Sequence, residues 1–155
     1  MVAVALIAGG VGNSVGKLVG NGVGEIAAPR PTLTEKEVMV MLVDGFEVAA
    51  KHMNENVVPT MVDKDTRLDR VSVGPGPVLT YHSTFLNLFS HEIDHFLIQH
   101  ELFPLVKAKV CLNLKMKPSL QYGGEYAYSY SGKDGVLVSE FSIDRDDCGF
   151  SLISP

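Results

Sequence analysis

Apolar residues recur at helical spacing in the stretch that follows residue 34, and charged residues fill the positions between them. Thr34 and Glu37 match the capping box, in which a threonine and a glutamate three residues later close the first turn of a helix. A helix is therefore predicted to begin at residue 35 and to run to about residue 54. Its apolar side is predicted to pack on a core and comprises Val38, Met39, Leu42, Val43, Phe46, Ala49, Ala50 and Met53.

After Pro59 the pattern changes to one typical of β-strands. Residues 68–73 and 78–85 are predicted to be strands, because both are rich in β-branched or aromatic residues. A Gly-Pro-Gly-Pro sequence at 74–77 separates them, and these two residue types are the strongest turn signals. We therefore expect two strands joined by a turn.

The rest of the chain repeats the order of a helical stretch followed by two strands. A helical stretch is predicted from about Ser90 to Leu114, with a break or restart at Pro104, which a helix tolerates in its first turn. Alternating tyrosines indicate the next strand, and residues 132–135 indicate a hairpin turn. One face of the last strand is predicted to carry Leu137, Ser139, Phe141 and Ile143.

The element order α-β-β-α-β-β predicts an α+β fold, with helices packed on an antiparallel four-stranded sheet. This domain is expected to occupy residues 32–155. The sequence Pro29-Arg30-Pro31 would end any preceding helix, since proline cannot continue one. Residues 1–28 therefore form a separate apolar segment.

Segment 1–28 carries a four-residue repeat of glycine, at Gly12, Gly16, Gly20 and Gly24. Each glycine destabilises a helix in water by roughly 1 kcal/mol relative to alanine. Between packed helices, however, small residues at this spacing let two backbones approach closely. We predict a glycine-zipper-like helix that packs in a membrane or in an oligomer. A cleaved secretory signal, a marginal lone membrane span and a flexible linker are the alternatives.

The composition restricts the class of partner. The net charge is −5 at pH 7, and lysine and arginine form no run. Nucleic acid is therefore not predicted to be a partner, because the affinity of proteins for nucleic acids comes largely from clustered cations. The apolar content of 46% is enough for one domain with a core.

The cysteines, Cys111 and Cys148, lie too far apart in the sequence for a CxxC redox or zinc pair. A single disulfide or two inert thiols remain possible at this level. A disulfide would place the domain in an oxidising compartment.

Residues 91–95 spell H-E-x-x-H, in which two histidines one helical turn apart bind zinc and the glutamate activates water. This interpretation makes His91 and His95 metal ligands and Glu92 the general base. On a continuous helix, however, the two histidines would face solvent, opposite the apolar side. A catalytic zinc also needs a third protein ligand, for which the candidates are Glu101, Glu125 and Glu140, none at a recognised spacing.

Two other clusters have plain structural explanations. Four charged residues crowd one loop–strand junction, Asp63, Asp65, Arg67 and Asp69. They predict a salt-bridge network rather than a cation site, because the spacing of an EF-hand is absent. The tyrosines at 126, 128 and 130 predict packing on a half-buried sheet more readily than a ligand platform. No glycine-rich phosphate loop opens a helix, so no nucleotide cofactor is predicted.

The order of the motifs carries a resemblance. The first motif is Met61-Val62-Asp63-Lys64-Asp65-Thr66-Arg67-Leu68-Asp69, and it is followed by Gly74-Pro75-Gly76 and by Ile93-Asp94. The two cysteines, Cys111 and Cys148, then flank the motif Tyr128-Ser129-Tyr130-Ser131-Gly132-Lys133-Asp134-Gly135. From about residue 54 to 148 the chain resembles a group of small bacterial envelope proteins. These combine a hydrophobic N-terminus with a compact α+β domain that carries two cysteines. The resemblance implies an envelope location and an α+β fold, and it assigns no activity.

The sequence therefore predicts a non-catalytic protein of the bacterial cell envelope, periplasmic or membrane-associated, without a cofactor. Its disulfide-stapled domain is expected to bind a protein partner, and the glycine repeat to hold it at a membrane or in a homo-oligomer. The alternative is a small zinc-dependent hydrolase that uses residues 91–95.

Overall fold

The computed structural model describes residues 33–153. Helix α1 (Glu35–Asn56) is followed by the strands β1 (Thr60–Met61), β2 (Thr66–Val73), β3 (Val78–Phe85), β4 (Glu125–Ser131) and β5 (Leu137–Ile143). Between β3 and β4 lie a 3₁₀ turn (Ser90–Glu92), α2 (His95–Leu97), a π-helical turn (Ile98–Leu102), α3 (Phe103–Leu112) and α4 (Lys117–Gln121). The glycine repeat lies outside the described residues.

The strands form one five-stranded sheet in the order β1-β2-β3-β4-β5. Strands β3 and β4 are parallel, and the other neighbours are antiparallel. The α+β class is confirmed, but the prediction of four antiparallel strands is wrong. Strand β1 is too short to leave a pattern in the sequence. The helical connection from β3 to β4 returns the chain to the same end of the sheet, which makes the two strands parallel.

Helix α1 begins where the capping box predicts. The Glu37 N–H donates to Thr34 Oγ1 at 3.3 Å, and the Thr34 N–H donates to Glu37 Oε2 at 2.7 Å. The helix lies against β2 and β3 and buries Leu42, Gly45, Phe46, Ala50 and Met53. Met39, which the periodicity places on the core side, is 44% exposed.

The tyrosines of β4 are enclosed between the sheet and the helices. Phe46 lies with its ring centroid 5.5 Å from that of Tyr126, and Tyr81 stacks on Tyr128 at 5.2 Å. None of the β4 tyrosines is more than 4% exposed. Burial raises the pKa of Tyr128 well above the usual value of 10.0, so its hydroxyl stays protonated. The tyrosines are core residues, as predicted.

A β-bulge beside Tyr130 changes the predicted face of β5. Leu137 pairs with Ser131 and is 57% exposed, whereas Val138 is buried at 7%. Leu137 therefore does not share a face with the other three residues as predicted, because an extra residue at a bulge shifts the alternation. The strand pairs with the tyrosines of β4 at Ser139, Phe141 and Ile143.

Cys111 and Cys148 form a disulfide with a Cα–Cα distance of 5.2 Å. The bond joins the last turn of α3 to the segment that follows β5, and both cysteines pack against the core. The prediction of a disulfide is confirmed, and the alternative of two free thiols is wrong.

Candidate functional site

Residues 91–95 do not form the helical turn that the zinc interpretation requires. The 3₁₀ turn ends at Glu92, and Ile93 is extended, with φ −91° and ψ 120°. A new helix then begins after Asp94, whose side chain accepts the Phe96 N–H at 2.8 Å. The prediction of a helical stretch through this region is thus wrong at residues 93–94. Within residues 33–153, no three His, Cys, Asp or Glu side chains are placed to hold a metal ion.

The side chains of residues 91 and 92 instead stabilise a surface loop. Glu92 Oε2 accepts the Phe89 N–H at 2.7 Å, and the His91 ring stacks on Phe89 with centroids 5.6 Å apart. Lys133 Nζ lies 3.7 Å from the centre of the Phe89 ring. His91 and His95 are both exposed, as expected from a helical wheel, although no continuous helix joins them.

Glu92→Gln is expected to leave the free energy of unfolding within about 0.5 kcal/mol of wild type, because glutamine retains an acceptor for the Phe89 N–H. Urea unfolding of both proteins measures this difference. Any function of the full chain should also be unchanged. Stoichiometric zinc in untagged protein that disappears in His91→Ala would contradict the structural role of this loop.

The acidic cluster near β2 forms a network of hydrogen bonds, in which Arg67–Asp69 is a salt bridge of the predicted carboxylate–arginine type. Asp63 Oδ1 accepts two backbone N–H groups of its own turn, each at 2.8 Å. Arg67 Nε pairs with Asp69 at 2.5 Å, and Asn87 Nδ2 donates to Asp65 at 2.6 Å. The cluster therefore fixes the turn between β1 and β2.

A serine–histidine pair that no sequence pattern predicted lies on the face of the sheet opposite α1. Ser72 Oγ lies 2.7 Å from His82 Nε2 across β2 and β3. Burial of the ring, together with the charge of Arg70, lowers the pKa of His82 and favours its neutral form. The pair serves as a cross-strand contact between β2 and β3.

A groove lies where the first turns of α1 meet the last described residues of the chain. It has a volume of about 250 Å³ and is lined by Glu35, Val38, Met39, Tyr122, Gly123, Leu152 and Ile153. The lining is mainly apolar, and its one charged residue is Glu35. We name it the tail groove.

Two glycines bring the walls of the tail groove together. Gly123 has φ +94°, a left-handed conformation that residues with a Cβ rarely adopt, and it turns the chain after α4. At Gly124 a Cβ would lie 3.0 Å from both the Phe46 ring and the Ser119 carbonyl oxygen, so a larger residue would require these neighbours to shift. The Ile153 N–H donates to the Gln121 carbonyl at 3.0 Å and fixes the tail as the second wall.

Large apolar side chains of the tail groove remain accessible. Met39 is 44% exposed, Leu152 48% and Ile153 39%. The apolar periodicity of α1 predicted a core position for Met39, and no predicted element included Leu152 or Ile153. Two consecutive apolar residues beyond the last strand were the available signal.

Within residues 33–153, no helix is long and apolar enough to cross a membrane. No family model matches the chain, and no curated protein matches its sequence. Similarity is found at the level of structure.

Three solved structures share the fold at low sequence identity. A secreted-protein candidate from Pseudomonas aeruginosa is 20% identical, with a TM-score of 0.60 over 72% of this chain and 96% of its own. EpsS, a pilotin of the type II secretion system of Vibrio vulnificus, is 14% identical, with a TM-score of 0.55 over 74% and 94%. The type II pilotin AspS from Vibrio cholerae is 10% identical, with a TM-score of 0.52 over 74% and 94%. The chain thus has a fold that is also found in a secreted-protein candidate and in two pilotins.

Proposed function

We propose that this protein is a non-catalytic component of the bacterial cell envelope whose disulfide-stapled domain binds an apolar segment of a protein partner in the tail groove. The observation that carries the proposal is the set of accessible apolar side chains held in place on two fixed walls, with Met39 on α1 and Leu152 and Ile153 on the tail. Exposed apolar clusters of this kind commonly mark protein-interaction sites.

The lining of the groove indicates the chemistry of the partner segment. Apolar side chains of the partner would displace water from Met39, Tyr122 and Ile153. The carboxylate of Glu35 at the groove favours a lysine or arginine next to those apolar side chains. We therefore propose a partner segment that is apolar and carries a neighbouring basic residue.

Two independent features support an envelope location. The Cys111–Cys148 disulfide persists in an oxidising compartment and is rare in the cytosol. The fold is shared with a secreted-protein candidate and with pilotins of type II secretion systems. We propose an accessory role in an envelope assembly, by analogy with the systems to which these pilotins belong.

A pair of variants on one helix tests the groove. Met39→Asp is expected to abolish the native complex of the full chain extracted in mild detergent, because it places a charge among the apolar lining residues. Val48→Asp is the matched control, since Val48 lies on the same helix, is 64% exposed and is not part of the groove. Equal complex size for Met39→Asp and wild type, with both proteins folded, would overturn the proposal.

The glycine repeat at 12, 16, 20 and 24 remains a prediction about membrane or oligomer packing. Gly16→Leu/Gly20→Leu is expected to break the assembly, because large side chains hold helices apart even though leucine favours a helix. Val15→Leu/Val19→Leu is the control beside the glycine positions. The size of each complex in detergent is the measurement, after mass analysis has shown that the N-terminus is retained. An unchanged size would favour a linker.

A further inference from the structure

The turn between α3 and α4 presents the two most exposed large apolar side chains of residues 33–153. Leu112 is 81% exposed and Leu114 is 82% exposed. Covering these side chains with another phase or surface would be favourable, because it removes apolar surface from water.

This turn is held in place on both sides of the two leucines. Cys111 is bonded to Cys148, and Met116 is buried at 3% exposure. Asn113 closes the turn, since its side-chain oxygen accepts the Lys115 N–H at 2.9 Å and its carbonyl accepts two further backbone N–H groups at 3.0 and 3.1 Å. The leucines therefore protrude from a fixed turn.

The stretch of chain that contains this turn carries only positive charges, and the acidic residues that the disulfide brings beside it are paired, Asp147 with Lys107 and Asp146 with Arg145 at 3.2 Å. The chain has a net charge of −5, yet residues 102–124 contain no aspartate or glutamate. The charged residues of this stretch are Lys107, Lys109, Lys115 and Lys117. Lys107 is paired with Asp147 at 2.9 Å, whereas Lys115 is exposed beside Leu114.

We propose that this turn, residues 112–117, inserts Leu112 and Leu114 into the surface of an anionic lipid bilayer while the adjacent lysines contact the headgroups. Apolar side chains flanked by lysines are typical of segments that lie in the membrane interface. A protein partner fits less well, because lysine is depleted in protein interfaces and the leucines stand on a convex turn. The contact uses residues that do not line the tail groove, and it would orient the domain on the membrane.

A tryptophan placed at the turn tests the insertion directly, because the chain contains no tryptophan of its own. In the full chain, Leu114→Trp is expected to show a blue-shifted emission and quenching by brominated lipids when vesicles of phosphatidylglycerol and phosphatidylcholine are added. When Lys115→Glu is combined with Leu114→Trp, the affinity for these vesicles is expected to fall at least about fivefold. One lysine near an anionic surface raises the affinity by about this factor.

The matched control is Leu137→Trp, which places the same probe at a leucine that is 57% exposed on the β4–β5 hairpin. Its emission should not change, even if segment 1–28 attaches the whole chain to the vesicles. Three results would each overturn the proposal. They are a tryptophan at 114 that stays in water, equal quenching at 114 and 137, and equal quenching with vesicles of pure phosphatidylcholine. A turn that binds another protein gives the first of these results.

Discussion

Reduction of the Cys111–Cys148 disulfide is expected to lower the free energy of unfolding by about 4 kcal/mol. The bond closes a loop of 37 residues, and the chain-entropy model gives this magnitude for the freedom that the unfolded chain regains. The loss is a large part of the 5–15 kcal/mol that is typical of a domain's total stability. Urea unfolding with and without a reducing agent measures it.

The double variant Cys111→Ala/Cys148→Ala is the control for this experiment. Its stability should match that of the reduced wild type and should not respond to the reducing agent. A wild-type midpoint that reductant leaves unchanged would show that the disulfide is absent or energetically silent. It would also remove one of the two supports for an oxidising compartment.

Phe46→Ala is expected to destabilise the domain by about 3–5 kcal/mol, the usual cost of removing a buried phenylalanine. Phe46 has no exposed surface and packs on Tyr126, and a Cβ at Gly124 would lie 3.0 Å from its ring. The surrounding sheet and helix cannot close the resulting cavity without moving α1. Because Gly124 belongs to the turn that carries Tyr122, the tail groove should lose its shape as well.

The same substitution at an exposed position separates a packing effect from a change of composition. Phe96 is 63% exposed, and Phe96→Ala should change the free energy of unfolding by no more than about 0.5 kcal/mol. Urea unfolding of both variants gives the comparison. Equal and small effects would mean that Phe46 is not the packing centre of the helix–sheet interface.

Local sequence signals predicted the elements that depend on local chemistry. The Thr34–Glu37 capping box located the start of α1, and β3 spans the predicted residues 78–85. Both cases rest on hydrogen bonds or alternation within a few residues, so one sequence suffices. The resemblance to small envelope proteins likewise agrees with the α+β class and with the disulfide.

The errors arise where distant parts of the chain decide the outcome. The parallel pairing of β3 with β4 follows from the path of the helical connection, which residue patterns do not describe. The H-E-x-x-H pattern can place its two histidines for zinc binding only if the backbone is helical. Asp94 instead accepts the Phe96 N–H and starts a new helix, so Ile93 is extended.

The tail groove was the feature that the sequence predicted least well. Met39 belongs to the apolar stripe of α1, and periodicity does not tell a core position from the wall of a groove. Leu152 and Ile153 follow a tail that is held by the Cys111–Cys148 disulfide and by the hydrogen bond from Ile153 to Gln121. Their contribution therefore depends on tertiary structure.

Site-directed photo-crosslinking in bacterial cells tests the central claim most directly. A photoreactive amino acid at Met39 is expected to give one discrete adduct with an envelope protein, mapped by mass spectrometry to an apolar segment that carries a lysine or arginine. The same amino acid at Val48 should give no such adduct, and Glu35→Lys should reduce the adduct at position 39. The absence of an adduct at Met39, or the same adducts at both positions, would contradict partner binding in the tail groove.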